Sequence, residues 1–340
     1  ATISGSLSVG VMNTGAPGDT ALVGSMGGGA NAINIATTED LGGGLRAGTN
    51  FQIRFSAATG DRASAGNGNA LFHEANVFVS SGMGTARIGK IAEASICAFD
   101  PWGCIGGAAT VAGATGTIGA NGAGLVGAQT VQNAVSFATP VINGFSGSLL
   151  TSLSPAPGAT ASATTAGTQL VGRTNERRVV SLNYAQGPIA LQYLQTNGSP
   201  NAAGDWPSYR PAASANSLVA ITDDASKATA IAGSYNFGVA KLNVSNSVSK
   251  SAAGAKTFDI TSISGSMPMG AYTLLAGYSK DSVKAANADT RIAAGVSYAL
   301  SKRTTVGADV FKQEGMAAVA GTNATGTAGT GFVVRARHTF

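Results

Sequence analysis

Charge is scarce in this chain. Only 11% of its 340 residues are Asp, Glu, Lys or Arg, where soluble domains carry about 25%. Disorder is excluded as well, because disordered segments pair high charge with little apolar content, and 44% of residues here are hydrophobic. Long apolar runs are missing too. A transmembrane helix needs about 18 or more consecutive apolar residues, and no run exceeds a few. Cysteine is limited to Cys97 and Cys104, and histidine to His73 and His338. Neither histidine has ligand-like spacing to the cysteines, so no metal or cofactor is expected. The net charge of +5 is not gathered into a basic helix or an aromatic-interleaved patch, and nucleic acid is therefore not an expected partner. The opening Ala1-Thr-Ile-Ser-Gly5 lacks a basic n-region and an apolar core, so it reads as a mature, processed start.

What is present is glycine, 48 residues of it, with abundant Ser, Thr, Ala and Asn and a mean hydropathy of +0.17. A chain that is apolar on average, nearly uncharged and without a membrane-length helix fits a transmembrane β-barrel. There the apolar residues are diluted by strand alternation. The alternation runs from end to end. Leu45, Ala47, Thr49, Phe51, Ile53 and Phe55 alternate with Arg46, Gly48, Asn50, Gln52 and Arg54. Ile3, Leu7, Val9 and Val11 alternate with Ser4, Ser6, Ser8 and Gly10. The pattern returns at 180–184, 189–193, 242–248, 272–278, 292–298, 306–310 and 332–340.

In these stretches the apolar parity holds no Lys, Arg, Asp or Glu, while the opposite parity holds Arg46, Arg54, Lys241, Asp309, Arg335 and Arg337. A charge facing lipid costs a few kcal/mol at mid-membrane, which gives that exclusion a physical cause. Tyr184, Tyr193, Tyr235, Tyr272, Tyr278 and Tyr298 fall on the apolar parity, as interfacial aromatic girdles require. A soluble sandwich is the weaker alternative.

Turn residues punctuate the strands at Glu39–Gly44, Ser81–Gly84, Pro140–Gly144, Gln186–Pro188, Asn236–Gly238, Pro268–Gly270 and Ser301–Arg303. Longer polar stretches lie at about 13–30, 56–70, 92–129, 153–174, 195–225, 246–257, 279–290 and 313–329. Alternating short turns and long loops predict an all-β, 16-stranded antiparallel barrel over residues 1–340, wide enough for an aqueous channel. Short turns are expected to face the periplasm and long loops the exterior.

Between the cysteines, Pro101 and Gly103 favour a turn that would let the sulfurs meet. An oxidising compartment favours a Cys97–Cys104 disulfide, two buried free thiols being the alternative. Gly122-Ala-Gly-Leu-Val-Gly127 spells a dinucleotide fingerprint, but it lacks the strand, helix and following acid that such a site needs. No Gly-x-Ser-x-Gly elbow occurs and neither histidine has a nucleophile partner, so catalysis is not expected.

At its turns the chain resembles a known family. Thr38-Glu-Asp-Leu-Gly-Gly-Gly-Leu-Arg-Ala47, Asn133–Pro140 with Gly144–Gly147, Ser234–Leu242, Leu300–Thr304 and Arg337-His-Thr-Phe340 are similar, in order, to the trimeric general porins of β-proteobacteria. The resemblance implies a homotrimer in the bacterial outer membrane, amid lipid and lipopolysaccharide, passing ions and small hydrophilic solutes passively. It makes 92–129 a constriction loop folded into the lumen, carrying Glu93, Cys97, Asp100, Trp102 and Cys104. The terminal Phe340 becomes the assembly signal. Candidate pore-lining residues are Arg46, Arg54, Glu74, Arg87, Lys241, Arg335 and Arg337.

The chain departs from that family where related porins carry arginines. Here those stretches read Asn31–Ala36, His73–Asn76 and Gln129–Gln132. A weak anion preference is therefore expected in place of a strong one. For any one lumen arginine the alternative role is an ordinary charge hydrogen-bonded to loops and to acids such as Glu74, Asp259 and Asp309. For the whole molecule the alternative is a structural or interaction barrel with a plugged lumen, suggested by its neutral, small-residue loops.

Overall fold

The computed structural model describes residues 1–13, 20–24, 31–57, 60, 71–103, 130–153, 177–198, 225–251, 253–283, 289–314 and 329–340. They form one antiparallel sheet of seventeen strands: β1 Thr2–Asn13, β2 Thr20–Gly24, β3 Ala32–Gly42, β4 Leu45–Arg54, β5 Glu74–Ser81, β6 Gly84–Ala92, β7 Thr130–Ala138, β8 Phe145–Ser152, β9 Arg178–Gln186, β10 Ile189–Asn197, β11 Ala225–Asn236, β12 Lys241–Ser251, β13 Lys256–Met269, β14 Tyr272–Asp281, β15 Asp289–Ala299, β16 Thr304–Glu314 and β17 Gly329–Thr339. The count reconciles with sixteen wall positions at β1. Its first half pairs with β3 (Thr2↔Ala36 to Ser6↔Ala32) and its second half with β2 (Val9↔Gly24 to Asn13↔Thr20). β2 and β3 are two pieces of one wall position. The expected loop at 13–30 thus contains a short strand that the alternation did not reveal.

The sheet closes on itself through β1 and β17, in register from Ser6↔Thr339 to Asn13↔Phe332. Gly5 and Phe340 exchange both backbone hydrogen bonds at the seam, 2.9 and 3.0 Å. Closure matters because hydrocarbon offers no partner to an open edge, and each unpaired amide there costs several kcal/mol. The seam requires a glycine. A Cβ at Gly5 would collide with the Ala32 carbonyl and the Phe340 ring, so the Phe340 ring takes the space left by the missing side chain.

All seven short turns form where turn residues were expected, with Gly42, Gly43, Gly44, Gly144, Gly187, Gly238 and Gly270 at positive φ. The strands on the long-loop side run further than expected. β12 and β13 are separated only by 252–255, so most of the expected loop at 246–257 is wall. No helix among the described residues is long and apolar enough to cross a membrane.

Burial is inverted relative to a soluble protein. Ile3 is 67% exposed, Ile292 55% and Val310 54%, whereas Ser247 is 0%, Arg291 1% and Asp309 2% exposed. The outer surface is a band of Ile, Leu, Val and Phe. Rings pair at its lower edge: Phe145 with Tyr184, Tyr235 with Phe237, and Tyr272 with Tyr298, all at centroid separations of 4.6–4.7 Å. These pairs lie beside the short turns and mark that membrane interface.

Candidate functional site

Because cross-strand partners share a face, the inner face can be followed around the barrel by register alone. One row near the short-turn rim reads Asp40↔Arg46↔Ser80↔Thr85↔Ala138. The next reads Thr38↔Gly48↔Phe78↔Arg87↔Ser136. On the far wall Asn236↔Lys241↔Ser266 continues the face, and Gly307↔Arg335↔Gly10 and Thr305↔Arg337↔Ser8 bring it back to β1. Arg46, Arg54, Glu74, Arg87, Lys241, Arg335 and Arg337 all stand on it. Asp259 does not. It pairs opposite Val248 on the outer face, where its carboxylate accepts from Asn246 Nδ2 at 3.0 Å and from Lys256 Nζ at 2.5 Å. The expectation that Asp259 balances lumen arginines is corrected accordingly.

On the inner face of β3–β5 the wall presents amides. Gln52 Nε2 donates to Asn34 Oδ1 at 2.8 Å, Arg54 Nε to Gln52 Oε1 at 2.6 Å, and Asn50 Nδ2 to Asn76 Oδ1 at 3.2 Å. These neutral rungs order Arg54. His73, just ahead of β5, titrates far below an ordinary histidine. Burial disfavours its cation most, and Arg54 and Lys90 repel it further. It stands neutral beside the wall.

After β6 the described chain, Glu93–Gly103, turns into the barrel. Ile96 and Phe99 pack with Ile91, Val131, Ala134, Leu150, Val179, Leu194, Ala230 and Ala232 in one apolar cluster along the inner wall. A single 3-10 turn, Cys97–Phe99, follows, and the Ala98 carbonyl accepts from Lys241 Nζ at 3.4 Å. Asp100 Oδ1 then accepts from the Trp102 backbone amide at 2.8 Å, tightening the bend. Trp102 reaches the wall again at β14–β16, buried with Leu275, Ala293 and Phe311. The segment therefore touches two separate parts of the wall from within.

A contact with a carboxylate anchors it at each end. Arg177 grips Glu93 with both ends of its guanidinium fork, the Nη2–Oε2 bond being 2.7 Å. At the far end Asp309 Oδ1 accepts from the Trp102 indole at 2.9 Å, and Arg335 clamps the same carboxylate at 2.7 and 3.2 Å. Arg335 Nη2 also donates to Ser297 at 2.9 Å. Gly295 makes room for this trio, since a Cβ there would strike the Asp309 carboxylate and lie 3.2 Å from the indole nitrogen. Arg291 stacks over Phe311, 5.1 Å from its centroid.

So Arg335 is committed to Asp309, and Glu93 to Arg177. Exposed Arg46 and Arg87 have no ion-pair partner among the described residues. Cys97 is not a free thiol; Cys104 lies outside the described residues, as does 104–129 of the expected constriction loop. Among the described residues no cluster of three or more His, Cys, Asp or Glu converges as a metal site.

A family model for Gram-negative porins matches residues 1–315. The chain belongs to the Gram-negative porins. Its fold is shared with an anion-selective porin from Comamonas acidovorans, at TM-score 0.72 and 22% identity over 100% of this chain and 99% of that one. A triple mutant of the Rhodopseudomonas blastica porin gives TM-score 0.62 at 15% identity, over 100% and 99%. OmpT, an outer-membrane protein of Vibrio cholerae in its trimer form, gives 0.61 at 13% identity, over 100% and 98%. No curated protein sequence matches the chain significantly. As a porin of the bacterial outer membrane it is a channel protein, and the plugged structural barrel is not favoured. The family and fold are known for channels, not for enzymes.

Proposed function

We propose that this porin is a homotrimer whose subunits each pass ions and small hydrophilic solutes by passive diffusion with a weak anion preference, and that 92–129 is its constriction loop. The observation carrying this reading is the distribution of inner-face charge. Two of the acids at the loop segment and its anchor, Asp309 and Glu93, are held in ion pairs by Arg335 and Arg177. Arg46, Arg87 and Lys241 stand on the inner face without an acid partner among the described residues. Asp40 lies opposite Arg46 in register, but its Oδ1 accepts from the Gly42 amide at 2.9 Å. A net basic, low-dielectric bore raises the local anion concentration. The excess is small, and neutral amides replace part of the basic ladder, so the preference is weak.

Arg46 lies two residues past Gly44, Arg87 three past Gly84 and Lys241 three past Gly238. At about 3.3 Å per residue all three stand within roughly 10 Å of the short-turn rim. The loop supports a size limit, and the mouth supplies the charge bias. A Cys97–Cys104 disulfide closes the bend that presents Trp102 to the wall, which stiffens the loop. Mass spectrometry of the alkylated, unreduced protein tests that bond; free-thiol labelling at Cys97 would refute it. Liposome swelling with sugars of graded size tests the channel. Uptake should fall steeply with solute size, and swelling absent for every sugar would refute the reading.

A further inference from the structure

The inner wall of β4–β6 carries an accessible aromatic ring among polar neighbours. Phe78 stands in the row Gly48↔Phe78↔Arg87, one step above the row Arg46↔Ser80↔Thr85 that lies nearer the short turns. Its ring leans over β4: a Cβ at Gly48 would lie 2.7 and 2.8 Å from two of its carbons. Covering that glycine explains the lean, yet it leaves Phe78 only half-buried. Phe99, Trp102 and Phe311, also inside the barrel, are each buried in packing. An aromatic surface left to an aqueous bore gains nothing from water, so it is available to an apolar solute face.

Exposed arginines flank that ring on two sides. Arg87 is directly opposite Phe78 on β6, where facing Cβ atoms are about 5 Å apart. Arg46 is two residues before Gly48 on β4, about 7 Å along the strand, so it stands at the short-turn edge of the ring. Neither arginine has an ion-pair partner among the described residues. The acids nearest on this face are Asp40 and Glu74. Asp40 is opposite Arg46 and accepts from the Gly42 amide at 2.9 Å. Glu74 is four residues from Phe78 along β5, about 13 Å away. Ser80, Thr85 and Ser136 add hydroxyls to the same rows.

We propose that Phe78, Arg46 and Arg87 form a subsite for aromatic carboxylates. The solute ring stacks on Phe78 while a guanidinium fork takes its carboxylate in a bidentate pair. The inference rests on the basic short-turn mouth of the proposed function and adds the class of anion that this mouth favours. An inorganic anion or an aliphatic acid meets the arginines but leaves the ring unused. A neutral aromatic meets only the ring, and a cationic one is repelled, because two guanidiniums outweigh the one adjacent carboxylate of Asp40. A carboxylate carried directly on the solute ring fits the spacing, since its charge then lies within one step of the stacked face, about 7 Å. One stacking contact and one ion pair also suit a channel, where the solute must leave again.

The test compares benzoate with cyclohexanecarboxylate, which matches its charge and bulk but has no aromatic face. Both are added at neutral pH to the purified full-length protein. Half-blocking concentrations of the potassium chloride current are read in a bilayer, and saturation-transfer NMR in detergent reads binding without any need for conduction. Wild type should bind benzoate roughly 3- to 10-fold more tightly, as one aromatic pair allows. F78L, which still covers Gly48, should bring that ratio to about one, and F78Y, which keeps a stacking ring, should retain it. R46Q/R87Q should weaken both acids together. The proposal is overturned if wild type binds the two acids equally, if folded F78L keeps the ratio, or if R46Q/R87Q binds both acids as wild type does. The first and third outcomes decide the matter even where F78L does not fold. Equal affinities in a conducting, anion-preferring channel would sink the subsite and leave the channel reading standing. A silent channel would fault that reading, and the NMR ratio would still decide the subsite.

Discussion

Replacing Trp102 by Phe should loosen the loop without unfolding the barrel. The indole donates one hydrogen bond, at 2.9 Å, to the Asp309 carboxylate in a site where Trp102 is 2% exposed. Bonds to charged acceptors contribute about 1.5–3 kcal/mol. Phenylalanine keeps most of the packing against Leu275, Ala293 and Phe311 but cannot donate. At about 1.4 kcal/mol per tenfold, the docked-to-released ratio of the segment should fall by roughly 10- to 150-fold. Asp309→Ala should cost more, about 3–5 kcal/mol, because it strands the Arg335 guanidinium in a buried site. Hydrogen exchange of the Ile96–Gly103 amides reads the first effect and open-channel current noise reports its consequence. Exchange in W102F equal to wild type would refute the docking argument. In the pair W102F/D309A the two effects should be less than additive, since both remove the same bond.

Other consequences follow from the same geometry. Ile263→Arg, at mid-height on the outer face, should destabilise the folded barrel by about 2–4 kcal/mol in lipid refolding titrations, whereas Lys280→Arg at the rim should be near neutral. The triple variant R46Q/R87Q/K241Q should lose most of the anion preference while single-channel conductance in high salt, where charge is screened, changes little. His73 should stay neutral in the folded protein down to mildly acidic pH, so conductance should not titrate between pH 8 and 5 on its account. Its folded pKa is depressed below the unfolded value of about 6.5. The unfolded chain therefore binds the extra proton as pH falls through that value, and His73 lowers stability on the acid side. H73Q should remove that acid-side loss in a refolding titration.

The barrel was legible because hydrocarbon imposes a rule that each residue obeys separately. Ile3, Leu182 and Val244 face lipid, and Ser4, Asn183 and Ser245 do not, so period-two alternation carries the inner and outer faces without any long-range information. Turns were legible at Gly42–Gly44, Gly238 and Gly270 because positive φ demands glycine. The anchors were not. Trp102 and Asp309 lie 207 positions apart, and their contact depends on the path of a loop that has no periodicity of its own. Strand ends on the loop side were lost for another reason. At headgroup level an outward lysine is tolerated, so Lys250 and Lys280 look like loop residues although they are wall. Asp259 was misassigned to the lumen for the same reason.

The central claim is an open bore with a mildly basic interior. The zero-current potential of the purified protein in a planar bilayer, under a tenfold potassium chloride gradient, tests it most directly. The account predicts a conducting channel whose potential has the sign of anion selectivity and stays well short of the ideal Nernst value. A potential of cation-selective sign, or no conductance at all, would contradict it.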